Sequence, residues 1–164
     1  AIFLIFQVKI TKYLLPASQA ANGVFSERSF MNAYSKYKED SIFSMSGAEQ
    51  LLLLFDETIK RLTRAESSLE DGNYDDFEDC LQRTTRIVRY LIDILDMSYP
   101  ISFDLRRIYV YLIYDLGMVR AGRERRKDEI GRIRHILSEL REAFDGASRK
   151  VNDMHIAPQR EVRG

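Results

Sequence analysis

The stretch Ser46-Gly-Ala-Glu-Gln-Leu-Leu-Leu-Leu-Phe-Asp-Glu-Thr-Ile-Lys-Arg-Leu-Thr-Arg-Ala-Glu-Ser-Ser-Leu-Glu-Asp-Gly72 carries more apolar surface than one helix stripe can bury. Ser46 and Glu49 have the spacing of a capping box, in which the hydroxyl accepts from the third amide and the carboxylate reaches back. Gly72 supplies the stop. At about 100° per residue, Leu52, Phe55, Ile59, Leu62 and Leu69 fall on one stripe, with Leu51 and Ala65 beside it. Leu53 points the opposite way and Leu54 sits on the flank. Those two leucines ask for a partner that the core stripe does not supply.

Downstream, Asn73 is an acceptable N-cap, followed by Asp75, Asp76, Glu78 and Asp79 where the helix dipole favours negative charge. Phe77, Cys80, Leu81, Thr84, Val88, Leu91 and Leu95 make one clean stripe to about Asp96, opposite Arg86, Arg89 and Asp93. Ser98 to Pro100 breaks the pattern. A third helix from about Ser102 to Ala121 has a core stripe of Leu105, Ile108, Leu112, Leu116 and Val119. It also has a second stripe of Tyr111, Tyr114 and Met118, with Val110 between the two. A helix apolar all round is normally enclosed on all sides, and no helix of a four-helix bundle is central. Something else must cover that face: the protein's own arm, a second copy or a partner. After the basic stretch Arg120 to Lys127, a last helix from near Asp128 keeps Ile130, Ile133, Leu137, Leu140, Phe144, Ala147 and Val151 in 3,4 alternation. Four segments of roughly 20–25 residues joined mostly by short connections predict an all-α, antiparallel up-and-down four-helix bundle with a short N-terminal arm or helix.

The organisation expected is an extension over residues 1–30, an arm over 31–45, the bundle over 46–152 and a polar tail over 153–164. Residues 1–30 are apolar and β-prone at first, then small and loop-like, with Glu27 the only acid. A signal peptide would have its basic residues ahead of the apolar run, whereas Lys9 and Lys12 follow it. An extension of upstream or recombinant origin, with Met31 opening the helical domain, is the favoured reading. A tethered client or a strap over a groove is the third. In the arm, Tyr34 and Tyr37 lie three apart and Ile42 and Phe43 follow, which suits a helical turn or an extended piece pinning aromatics onto a neighbour.

The chain has 164 residues and one cysteine, so it can bury a core without disulfides, and Cys80 reads as a small buried hydrophobe suited to a reducing, cytosolic compartment. With 25 basic and 25 acidic residues no net field advertises nucleic acid or a membrane surface, and no stretch has the length of a membrane span. A di-iron bundle would need inward Glu residues and Glu-x-x-His pairs, which are missing. His135 lies off the apolar stripe and His155 in the tail, so neither assembles a metal or catalytic site. No phosphate loop, serine elbow or CxxC occurs. The expectation is no enzyme and no cofactor; no nucleic acid and no membrane insertion are expected either.

From Met31 to about Val151 the chain resembles the FliS family of flagellar export chaperones. An opening Asn-x-Tyr-x-x-Tyr followed by Ser and a β-branched residue is met by Asn32, Tyr34, Tyr37, Ser41 and Ile42. A Leu-rich run is met by Leu52, Leu53, Leu54, Phe55, Asp56 and Glu57. A tyrosine-rich third helix is met by Ile108, Tyr109, Tyr111 and Leu112, and a closing pattern by Leu140, Arg141, Glu142, Ala143 and Phe144. The resemblance implies a cytosolic (bacterial) chaperone that binds the disordered C-terminal segment of flagellin in apolar grooves, prevents premature polymerisation and assists type III export. Export-gate components and a homodimer are open as further partners. The groove expected comprises Leu53, Leu54, Asp56, Tyr109, Tyr111, Tyr114 and Met118, with Tyr34, Tyr37, Ile42 and Phe43 as arm or rim.

Several positions depart from the family pattern. Phe55 replaces a tyrosine, Glu57 a glycine and Gly47 a frequent proline, while Tyr114 and Asp115 stand for a usual basic pair. An ionic contact that the family makes through that pair is therefore not expected here. The alternative reading is a self-associating helical bundle acting as a structural or adaptor protein, which would show concentration-dependent mass without any client.

Overall fold

The computed structural model describes residues 40–156, with side chains to Val151. A helical turn over residues 40–44 precedes four helices: α1 (Gly47–Glu70), α2 (Tyr74–Asp93), α3 (Pro100–Gly122) and α4 (Lys127–Ile156). The capping box forms as the spacing predicts: the Ser46 amide donates to Glu49 Oε2 at 2.7 Å, and the Glu49 amide donates to Ser46 Oγ at 3.3 Å. Gly72 takes φ +70°, a left-handed conformation that only glycine adopts without cost, and so turns the chain in the few residues between α1 and α2. Asn73 then caps α2 by accepting from the Asp76 amide. Pro100 opens α3, where its missing N–H is no loss. Within the described residues α4 reaches Ile156, beyond the end expected near Asn152.

Each helix packs against its sequence neighbours, and α1 also packs on α4, so the four close a ring of antiparallel neighbours. α1 is gripped most extensively, by α2 and α4, whereas the seam of α3 with α4 is the least extensive. That asymmetry corrects the sequence reading of α1. Leu54, placed on the flank, is fully buried, whereas Leu52, placed in the core, is only partly covered. The buried arc of α1 runs through Gln50, Leu54, Phe55, Thr58, Leu62, Ala65, Ser68 and Leu69. Three of these are polar, and they blur the apolar stripe. Each donates to a partner: Thr58 to the Phe55 carbonyl, Ser68 to Asp76, and the Gln50 Nε2 to the Ile42 and Met45 carbonyls, while the Gln50 Oε1 is buried without one among the described residues. Those last bonds fasten the 40–44 turn, with Ile42 at 4 % exposure, to the start of α1.

The two ends of the bundle differ. Where the α1–α2 turn meets the α3–α4 connection, Lys127 pairs with Glu70 and the Tyr74 hydroxyl donates to Glu124 at 2.6 Å. Arg120 and Arg123 share Glu78. Arg123 sits at φ +48° and ψ −124°, a sparsely populated conformation that costs on the order of 1–3 kcal/mol, and lays its guanidinium 4.5 Å over the Tyr74 ring. The basic stretch is therefore not a solvated loop. It is the last turn of α3 and a 3-10 turn (Arg123–Arg126), with most of its charge neutralised. From that end α4 buries Ile130, Ile133 and Leu137, but toward the opposite end Leu140 and Phe144 are only partly covered and Ala147 and Val151 are exposed. The 3,4 seam expected to reach Val151 stops enclosing side chains after Phe144, whose ring stacks on Phe55 at 5.6 Å.

Candidate functional site: the outer face of α3

α3 carries apolar residues on both its inner and its outer side. Inward it buries Ser102, Tyr109, Leu112, Asp115, Leu116 and Val119, with Leu105 and Ile108 packed beside them. Outward, at i, i+7, i+11, it exposes Phe103 (54 %), Val110 (52 %) and Tyr114 (63 %). The stripe continues along the same face to Gly117 and Ala121. Tyr111, at 45 % exposure, and the partly covered Met118 lean toward α4. Phe103, Val110, Tyr111 and Tyr114 line one shallow groove together with Arg106 and Arg107, and Met118 and Ala121 line a second with Arg125, Arg126 and Glu129. At 1.5 Å per residue the stripe from Phe103 to Ala121 is about 27 Å long, enough for five turns of a docked helix.

On the α4 side the groove is closed by an ionic clasp. Asp115, only 5 % exposed, accepts from Arg132 Nη2 of α4 at 2.8 Å and from the Tyr111 hydroxyl. Both partners are held in their protonated forms: the bond to Asp115 raises the Tyr111 phenol above its ordinary value and raises Arg132 as well. Charge-assisted bonds of this kind are the strong ones. Asp115 thus serves the seam between α3 and α4 and is not presented to a partner, while Tyr114, its neighbour, faces solvent.

The structure separates the expected groove residues into three groups. Tyr111, Tyr114 and Met118 share the outer side of α3, joined by Val110 and Phe103. Leu54 and Tyr109 belong to the core, at 0 % and 1 % exposure, because each points into the ring of helices; burial raises the Tyr109 phenol well above its ordinary value. They are corrections to the expected site. Leu53 is partly covered and packed against the core, and Asp56 is spent on a two-point ion pair with Arg141 that ties α1 to α4. Ile42 is buried under the 40–44 turn, and Phe43 is 40 % exposed. Tyr34 and Tyr37 lie outside the described residues. Phe103 was not among the expected site residues, although it lies seven residues before Val110, the spacing that should have added it to the stripe.

A further apolar depression lies between the start of α1 and the end of α4, lined by Ala48, Leu51, Phe144, Ala147 and Val151. Among the described residues no cluster of His, Cys, Asp and Glu could hold a metal ion, and no helix is long and apolar enough to cross a membrane. His135 is exposed. Cys80 is buried, and that burial raises its thiol above the ordinary value, which keeps it protonated and unreactive. A family model described as "Flagellar protein FliS" matches residues 30–151. No curated protein matches the chain.

Proposed function

Because the chain belongs to the FliS family of flagellar proteins, whose model spans most of its length, we propose that it is a cytosolic export chaperone for flagellin. In this reading the disordered C-terminal segment of flagellin folds against the outer face of α3, which keeps it from polymerising and delivers it to the export gate. One observation carries the placement. α2, the neighbouring helix, turns Arg86, Arg89 and Asp93 to solvent, whereas α3 turns out Phe103, Val110 and Tyr114. An exposed apolar stripe of helical period is the surface that helix-in-groove recognition uses. The groove performs no bond chemistry. Its work is the free energy of burying those side chains against a client, less the several kcal/mol that ordering the client costs.

The test is calorimetric titration of the full chain with the C-terminal segment of the source organism's flagellin, about 40 residues long as a coupled-folding length. Wild type is expected to bind with a large negative heat-capacity change. The Val110→Asp/Tyr114→Asp variant should bind at least about 100-fold more weakly, a loss of about 3 kcal/mol, at unchanged helicity because both side chains are exposed. Equal binding by wild type and variant would refute the α3 site.

A further inference from the structure

The arginines of the described residues divide cleanly. Arg61, Arg64, Arg83, Arg107, Arg120, Arg123, Arg126, Arg132, Arg134, Arg141 and Arg149 each pair with a carboxylate. Four have no such partner among the described residues: Arg86, Arg89, Arg106 and Arg125. All four are exposed, and all four line the depressions that border α3. Arg86 and Arg89 project from α2 over a depression floored by Ile113, Leu116 and Gly117 of α3. Arg106 stands in the groove with Val110 and Tyr114, and Arg125 in the one with Met118 and Ala121. The apolar depression between α1 and α4 has no arginine in its lining.

Resting on the chaperone reading above, we propose that the segment docking on α3 is an amphipathic helix whose flanks carry carboxylates, set to meet Arg86 and Arg89 on the α2 side and Arg106 and Arg125 toward the two ends. In a sequence of zero net charge, where carboxylates satisfy every other described arginine, four guanidinium groups gathered around one apolar stripe form a local positive field. Guanidinium is the side chain suited to planar two-point recognition of a carboxylate. A second copy of the chain laid on this face brings as many arginines as it meets and few carboxylates, Asp93 on α2 and those of α3. The acids of α3 are Asp104, which faces Arg107, and Asp115, which is buried against Arg132. Across such an interface the rim charges govern encounter rate and partner choice, and the apolar stripe supplies most of the affinity.

The experiment uses the full chain and two synthetic probes: the flagellin C-terminal segment, and the same segment with its Asp and Glu replaced by Asn and Gln. Fluorescence anisotropy is read at low and high salt. The native segment should weaken markedly as salt rises, and the R86Q/R89Q variant should bind it about 3- to 10-fold more weakly at low salt. The amide-substituted segment should bind wild type and variant equally. Native segment that binds wild type and R86Q/R89Q alike, with no salt dependence, overturns the acidic-flank assignment and leaves the chaperone reading standing. Native segment that fails to bind wild type at all removes the chaperone reading, and this assignment with it.

Discussion

α2 and α3 occupy equivalent places in the ring, each packed between two neighbours with one side to water, yet only α3 adds a stripe of large apolar residues to the charged ones on its outer side. The apolar residues of α2 are gathered on the inner face, with Phe77, Leu81, Ile87, Val88 and Leu91 buried and arginines outside. α3 buries Tyr109, Leu112, Leu116 and Val119 on its inner face and then exposes Phe103, Val110 and Tyr114 as well. Stability needs only the inner stripe. Among the described residues nothing encloses the outer stripe of α3, and it is this surplus that the docking proposal uses. The difference teaches that, within one helix, a residue's effect on folding and its effect on binding should separate by face.

The largest expected effect tests that separation directly. Leu112 is fully buried on the inner face, and Leu112→Ala should destabilise the bundle by about 2–5 kcal/mol through lost burial and the cavity left behind. Val110, two positions away and 52 % exposed, should change stability by no more than about 0.5 kcal/mol when replaced by alanine. Chemical denaturation of the two variants is the measurement. Similar losses in both would show that the outer face contributes to folding and would abolish the contrast with α2.

The sequence made parts of this contrast legible and hid others. The capping box at Ser46 and Glu49 and the turn at Gly72 follow from local chemistry, and the structure repeats them; the stripe of α2 holds from Phe77 to Leu91, but Ile87 and Tyr90 are buried with it and Leu95 lies past the helix end at Asp93. The second face of α3 was visible as a period. The fate of Leu54 was not, because the polar residues Gln50, Thr58 and Ser68 share its buried arc and break the apolar period; the Gln50 and Ser68 side chains donate to groups outside α1 that the period does not reveal. Tyr109 carries a hydroxyl and stands among surface tyrosines, so burial of its ring could not be read from residue type. Asp115 reads as a surface acid until the chain reverses after Gly122 and brings Arg132, 17 residues on, to its carboxylate. The missing partners of Arg86, Arg89, Arg106 and Arg125 are a property of the whole pairing map.

The clasp at Asp115 lies between the two faces and should show an intermediate effect. Asp115→Ala removes the acceptor for Arg132 and Tyr111, but Arg132 is half exposed and regains water. A loss of about 1–2 kcal/mol is expected, smaller than for Leu112→Ala. Freed of Asp115, Tyr111 should titrate at lower pH than in wild type, toward its ordinary range, because the bond that raises its phenol is gone. A spectrophotometric titration of tyrosine checks the direction. An unchanged titration curve in the folded variant would mean that the Tyr111 bond to Asp115 contributes nothing in solution.

Gly117 gives the smallest and most discriminating effect. It is exposed in the interior of α3, its φ is not in the left-handed region, and an added Cβ would meet no atom within 4 Å. Nothing in the isolated bundle therefore requires glycine there, and glycine inside a helix costs about 0.5–1 kcal/mol relative to alanine. Gly117→Ala should raise stability by that amount, read as an upward shift in the denaturation midpoint. Its effect on the flagellin segment locates the docked chain. Weaker binding by a more stable protein places the client backbone close against the Gly117 and Ala121 end of the stripe, where only small side chains stand between two helices. Unchanged binding confines the client to the half of α3 between Phe103 and Tyr114, where large side chains hold it further from the helix axis. A loss of stability, by contrast, would show that the two faces of α3 are coupled through the helix itself.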